Sequence, residues 1–166
     1  MPLEGTTILL AEDDLILAEL YTDRLKQEGF NVVHASNGED ALHYVEEYHP
    51  SLIILDIMMP RMNGLDVLKE LKSHEDTSSI PVIIVTALVQ EIEKVNKMMN
   101  PADAYIVKSE VLPAEIIQEV KRRLERDETD LGYAPDASSN PMAAGTDSPD
   151  QDQQAAPVPP APDAGA

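Results

Sequence analysis

Five short runs of β-branched and large apolar residues punctuate the first two thirds of the chain. They are Thr7–Glu12 (TILLAE), Asn31–Ala35 (NVVHA), Leu52–Asp56 (LIILD), Pro81–Thr86 (PVIIVT) and Ala104–Lys108 (AYIVK). The third and fourth are almost unbroken in hydrophobics, the pattern of strands covered on both faces. Between the runs, apolar residues recur at three- and four-residue spacing, which predicts helices. Leu15–Gly29 carries Leu17, Leu20, Tyr21 and Leu25 and stops at a glycine. Asn37–Tyr48 opens with Ser36-Asn37-Gly38-Glu39, which fits a capping box. Gly64–Lys72 repeats Leu65, Leu68 and Leu71, and Gln90–Met99 carries Ile92, Val95 and Met99. Pro113–Arg126 places proline at a first helical position and continues through Ile116, Ile117, Val120 and Leu124.

Strand and helix thus alternate five times. Parallel strands need crossover connections, so this alternation predicts a parallel sheet with helices on both faces. For five such units the expected fold class is α/β, flavodoxin-like and doubly wound, with strand order 2-1-3-4-5. Its ligand crevice lies at the carboxyl ends of strands 1 and 3, where the winding direction reverses.

Composition divides the chain unevenly. All 12 Lys and Arg lie before Asp127, together with 23 of the 31 acidic residues. Residues 127–166 hold eight acids, no bases, seven prolines and nine alanines, too little apolar surface to offset the entropy of ordering. The expected organisation is a folded domain over 1–126 and a disordered acidic Pro/Ala-rich tail over 127–166. A formal charge of −19 argues against nucleic acid or an anionic membrane surface as a direct partner. The one basic cluster, Lys121-Arg122-Arg123 with Arg126, is expected to complement the dipole at the end of the last helix. Without cysteine there is no disulfide framework, thiolate metal site or Cys nucleophile. No stretch has membrane-spanning length, and "MPLEGTT" is not a signal peptide, so a cytoplasmic location without membrane insertion is expected.

The chemistry gathers at the predicted carboxyl edge. Strand 1 runs out into Glu12-Asp13-Asp14 and strand 3 into Asp56. The acidic triplet could merely serve a helix N-terminus, but Asp56 opens no helix; it precedes Ile57-Met58-Met59-Pro60. Two carboxylates about 4 Å apart repel by roughly 4 kcal/mol at an effective dielectric near 20, so a converging set raises a pKa or binds a cation. With oxygen donors only, and with His34, His43, His49 and His74 given no role, the expected ion is Mg²⁺. Strand 4 ends in Thr86 and strand 5 in Lys108, a hydroxyl and an ammonium facing that acidic set. Together they suit a phosphoryl group, with Asp56 as the nucleophile that becomes an aspartyl phosphate.

The pieces "ILLAEDD", "LIILDIMMPRMNG", "VIIVTA" and "AYIVK" stand in order between Ile8 and Lys108. In them the chain from about Thr6 to Arg126 resembles the receiver domain of two-component response regulators, including stand-alone CheY-like members. The resemblance implies that Asp56 is the phosphoacceptor, that Glu12 and Asp13 hold Mg²⁺, and that Met58 offers the metal its backbone carbonyl. Asp14 is implied to be a flanking residue. Thr86 and Lys108 are implied to contact the phosphoryl oxygens, and Tyr105 to change rotamer with phosphorylation. Implied partners are a histidine kinase or histidine phosphotransfer protein and a downstream protein met through the face of helix 4, strand 5 and helix 5. Two departures stand out. Ser109 follows Lys108 where most receivers have proline, often cis, and Pro101 stands where many have a glycine.

The leading expectation is therefore a phosphorylation-switched signalling module, not an enzyme on other substrates; with no DNA-binding domain expected after Arg126, output is expected through protein contacts or relay within a phosphotransfer chain. The alternatives are a constitutive pseudo-receiver binding module and a Mg²⁺-dependent phosphohydrolase with Asp56 as nucleophile. Such hydrolases commonly place an acid/base carboxylate two residues after the nucleophile, where this chain has Met58. An FMN-binding flavodoxin shares the fold, but "EDDL" after strand 1 would repel the phosphate.

Overall fold

A computed structural model describes residues 3–100 and 103–129. Five parallel strands form one sheet in the order β2-β1-β3-β4-β5, as the alternation predicts. They are β1 (Thr7–Ala11), β2 (Asn31–Ala35), β3 (Leu52–Leu55), β4 (Val82–Thr86) and β5 (Ala104–Val107). The helices are α1 (Leu15–Gln27), α2 (Gly38–Tyr48), α3 (Gly64–Ser73), α4 (Glu75–Ser78), α5 (Ile92–Met98) and α6 (Pro113–Thr129).

Alternate side chains of each strand point to opposite faces, and two cores result. Ile8, Leu10, Leu52, Ile54, Ile83 and Val85 pack beneath α1 and α6 with Leu25, Ile116 and Val120. Leu9, Ala11, Ile53, Leu55, Val82 and Ile84 pack beneath α2, α3 and α5 with Val45, Leu68, Leu71 and Val95. All four residues of β3 are buried, which explains its unbroken apolar run; each such side chain contributes about 2 kcal/mol of transfer free energy.

Local signals set the ends of the helices. At the end of α1, Gly29 takes φ +90°, its N–H bonds to Lys26 O, and Phe30 N–H bonds back to Leu25 O. This is a Schellman closure with its apolar contact between Phe30 and Leu25. The cap of α2 lies one residue later than the capping-box pattern predicts. Asn37 Oδ1 accepts from Asp40 N–H, and Asn37 Nδ2 donates to the Asp40 carboxylate. Asparagine is the better N-cap because its carbonyl reaches the N3 amide while its amide group holds the N3 side chain.

Three elements differ from expectation. The fourth predicted helix starts as a single 3-10 turn (Val89–Glu91) before α5, and neither start has a side-chain cap. The four-residue α4 was invisible to periodicity because one turn has no repeat to show. The last helix continues past Arg126 to Thr129, so Lys121, Arg122 and Arg123 sit mid-helix rather than in its last turn. They are engaged in ion pairs, Lys121 with Glu28 of α1 and both arginines with Glu119, and the dipole explanation for them falls away. Residues 130–166 of the expected tail, and Pro101, lie outside the described residues. The Lys108–Ser109 peptide is trans. No helix among the described residues is long and apolar enough to cross a membrane.

Candidate functional site

β1 and β3 are adjacent, with Ala11 opposite Leu55, so the next residue of each strand leaves the sheet beside the other. Those residues are Glu12 and Asp56. Their backbones extend the ladder by one rung, Asp56 N–H donating to Ala11 O and Glu12 N–H to Ala35 O, each at 3.0 Å. Both side chains are buried, at 2% and 5% exposure. Buried carboxylates need partners, and the partner comes from β5, two strands from β3 and three from β1. Lys108, after β5, reaches across the end of β4 and donates to Glu12 Oε2 and Asp56 Oδ2, each at 2.6 Å.

The acidic triplet divides into three roles. Glu12 is buried, and its Oε1 accepts from Asp14 N–H at 3.2 Å. Asp13 is exposed beside it, and one ligand oxygen each from Glu12, Asp13 and Asp56 lie within 4.8 Å of one another. Asp14, expected only to flank the site, caps α1, accepting from Ile16 N–H at 3.0 Å and Leu17 N–H at 3.2 Å. Thus the helix-cap explanation holds for Asp14 alone. Three carboxylates without nitrogen or sulfur donors form a set that a hard divalent cation fits.

Charge and burial compete here. Burial pushes the Glu12 carboxyl above the ordinary carboxylate range, helped by the negative charge of Asp56 and opposed by its bond to Lys108. For Lys108, burial pulls the ammonium down, but its bonds to Asp56 and Glu12 outweigh that and leave it raised.

The loop after β3 explains the "MNG" ending. Asn63 caps α3 by accepting from Asp66 N–H, and Gly64 N–H bonds to Ile57 O at 2.8 Å. A Cβ on Gly64 would stand 2.1 Å from Asp56 O, so only glycine lets α3 start this close to the site. Met58 N–H donates to Asp56 Oδ1 at 3.1 Å, while its side chain is 56% exposed.

Thr86 is fully buried at the end of β4, and its Oγ1 accepts from Leu88 N–H at 3.3 Å. Tyr105 is half-buried on β5, and its hydroxyl donates to Leu88 O. One residue, Leu88, therefore connects the threonine to the tyrosine. One further group escaped sequence reasoning: His34 Nε2 lies 2.8 Å from Glu12 O. The available signal was its place on β2, the neighbour of β1, at the same carboxyl edge.

Residues 8–121 match the response regulator receiver domain family. The chain belongs to that family. Among relatives of this receiver is the DNA-binding response regulator MtrA of Mycobacterium tuberculosis, strain H37Rv, 37% identical over 121 residues. That alignment covers 73% of this chain and 51% of MtrA. The receiver spans about half the length of the curated relatives it matches. The signal receiver domain of a signal transduction histidine kinase from Syntrophus aciditrophicus superposes with a TM-score of 0.69 at 27% identity, covering 78% of this chain and 98% of that one. The signal receiver domain of a putative Luxo repressor protein from Vibrio parahaemolyticus gives 0.66 at 29% identity, covering 78% and 98%. As a response regulator receiver, the domain is a module of two-component signalling.

Proposed function

We propose that this receiver takes a phosphoryl group on Asp56 from a histidine kinase or histidine phosphotransfer protein, in a Mg²⁺-dependent reaction, and that the product state resets a protein-binding surface. The observation that carries this is the meeting of Glu12, Asp13 and Asp56 with Lys108 at the sheet's switch point.

In the step itself, an Asp56 carboxylate oxygen forms a bond to phosphorus as the phosphorus–nitrogen bond of a phosphohistidine breaks. The imidazole leaves with the electron pair. Glu12, Asp13, Asp56 and the Met58 carbonyl would hold Mg²⁺, which when bound offsets charge on the phosphoryl oxygens. The Lys108 ammonium already lies against the acceptor carboxylate and is placed to meet one of those oxygens. The Thr86 hydroxyl meets another. Leu88 N–H donates to that hydroxyl and Leu88 O accepts from Tyr105, so a movement of Thr86 toward the phosphoryl group would shift Leu88 and with it the partner of Tyr105. Tyr105 and the α5–β5–α6 face thereby have two arrangements, one per phosphorylation state.

Exposed Leu15 and Ile16 in the first turn of α1, with Met58 and Leu112 in the loops after β3 and before α6, give a phosphodonor an apolar surface to dock on. The methionine two residues after Asp56 supplies no acid/base group, which favours a signalling phosphoacceptor over a phosphohydrolase. We further infer output to a protein rather than directly to nucleic acid, from the formal charge of −19.

The test is incubation with acetyl phosphate, with Mg²⁺ or with a chelator, followed by intact-mass spectrometry beside Asp56→Asn. A Mg²⁺-dependent phosphoryl adduct on the wild type alone is expected. No adduct under conditions that label another receiver would favour a constitutive binding module, and an adduct on Asp56→Asn would move the acceptor elsewhere.

A further inference from the structure

We propose that His34 is a positioning residue for the acidic metal site, acting through the peptide bond between Glu12 and Asp13. This rests on the Mg²⁺ site proposed above. His34 is the fourth residue of β2, opposite Leu10 of β1, and its half-buried ring turns along the edge of the sheet. There Nε2 lies 2.8 Å from Glu12 O. A carbonyl oxygen only accepts, so Nε2 carries the proton and the ring donates.

The location of that carbonyl gives the bond its effect. β1 ends at Ala11, and the last β1–β2 register pair is Ala11 with Ala35. Glu12 N–H is still held by Ala35 O at 3.0 Å, but beyond it the chain turns away toward α1. The peptide plane joining Glu12 to Asp13 is rigid, so its direction is set by the backbone torsions on either side. Holding its oxygen fixes that plane and hence the direction in which Asp13 leaves the chain. The Glu12 side chain is fixed separately, by Lys108 and by Asp14 N–H. Asp13 is exposed; its backbone is held on the far side by the Asp14 N–H bond to Glu12 Oε1 and the Asp14 cap, and at the preceding peptide by the His34 bond. His34 therefore sets the spacing between the exposed carboxylate and the two buried ones, within the 4.8 Å the cluster now shows.

The experiment uses the full chain, ¹⁵N-labelled and metal-free, titrated with MgCl₂ at a pH where histidine is neutral, with amide shifts of Glu12, Asp13 and Asp56 as readout. Wild type, His34→Val and His34→Gln are compared, glutamine keeping an N–H donor at similar reach. Outer-shell partners of metal ligands typically change affinity by about 10–100-fold; acting one bond further out through backbone, His34→Val should weaken Mg²⁺ by about 3–10-fold. Its Asp13 amide should shift even without metal, and His34→Gln should restore most of the affinity. Thermal midpoints of the variants place any general loss of structure apart from this effect. Wild-type binding with unchanged affinity in His34→Val overturns the role of His34 and leaves the metal site standing. So does weakening that glutamine fails to restore. No saturable response in the wild type overturns the metal site itself and this inference with it.

Discussion

The sheet carries a buried lysine–carboxylate cluster at each end, and the two are built on different principles. At the amino edge, Lys72 of α3 donates to Ser78 O at 3.1 Å, Ile80 O at 3.0 Å and Asp103 Oδ1 at 2.8 Å. Asp103 in turn accepts from Val82 N–H at 2.8 Å and Asn100 N–H at 2.7 Å. One cation meets one anion, and the three ammonium protons each have an acceptor. At the carboxyl edge, among the described residues, Lys108 has two acceptors, both carboxylates, with Asp13 exposed nearby. Formally three anions there face one cation. The saturated cluster ties α3, α4, β4 and the turn before β5 together and has no capacity left for a ligand. The unsaturated one holds excess negative charge in place, the imbalance on which the proposed Mg²⁺ and phosphoryl binding rests. Burial of a charge therefore does not distinguish structure from function; the ratio of charges and donors does.

The largest test is Asp103→Ala. It strands the Lys72 ammonium and two backbone amides, and should cost about 3–5 kcal/mol in urea unfolding, indifferent to Mg²⁺. Lys108→Met, at the solvent-facing end, should cost about 1–2 kcal/mol in metal-free buffer. Saturating Mg²⁺ should recover more of that loss than it adds to the wild type, because the cation replaces the missing positive charge. Equal losses in the two variants, both blind to Mg²⁺, would erase the distinction between the two clusters. The smallest effect is in pH. The folded Glu12 carboxyl holds its proton more tightly than an unfolded one, mainly through burial. Its contribution is thus fully present below the ordinary glutamate range, near about 4.3, and lost as pH rises through the raised folded value. Metal-free wild type should therefore gain stability over Glu12→Gln on going from pH 7 toward pH 4.5. An unfolding difference that does not change with pH would show Glu12 held without net penalty.

Much of this was legible beforehand because the physics is local. The apolar runs become strands within a residue or so of their expected ends, since burial on both faces leaves no room for polar residues. Gly29 ends α1 because its positive φ excludes a side chain without strain. Harder to read were features that depend on contacts distant in sequence. Nothing near Lys121 announces Glu28, and nothing in "NVVHA" marks His34 as the partner of a carbonyl just past the end of β1. Asp103 reads as a loop residue until β4 and α3 are brought against it.

The chain's own pattern determined the parallel α/β sheet, its order and the edge where chemistry gathers, because periodicity and crossover handedness leave few other arrangements. It also identified Glu12, Asp13, Asp56, Thr86 and Lys108 as residues of that edge. Tertiary structure decided how those groups meet: that Lys108 spans to both β1 and β3, that Asp14 caps a helix, and that Leu88 links Thr86 to Tyr105. Each is set by distances of a few ångströms between segments far apart in sequence, which residue order alone does not encode in readable form.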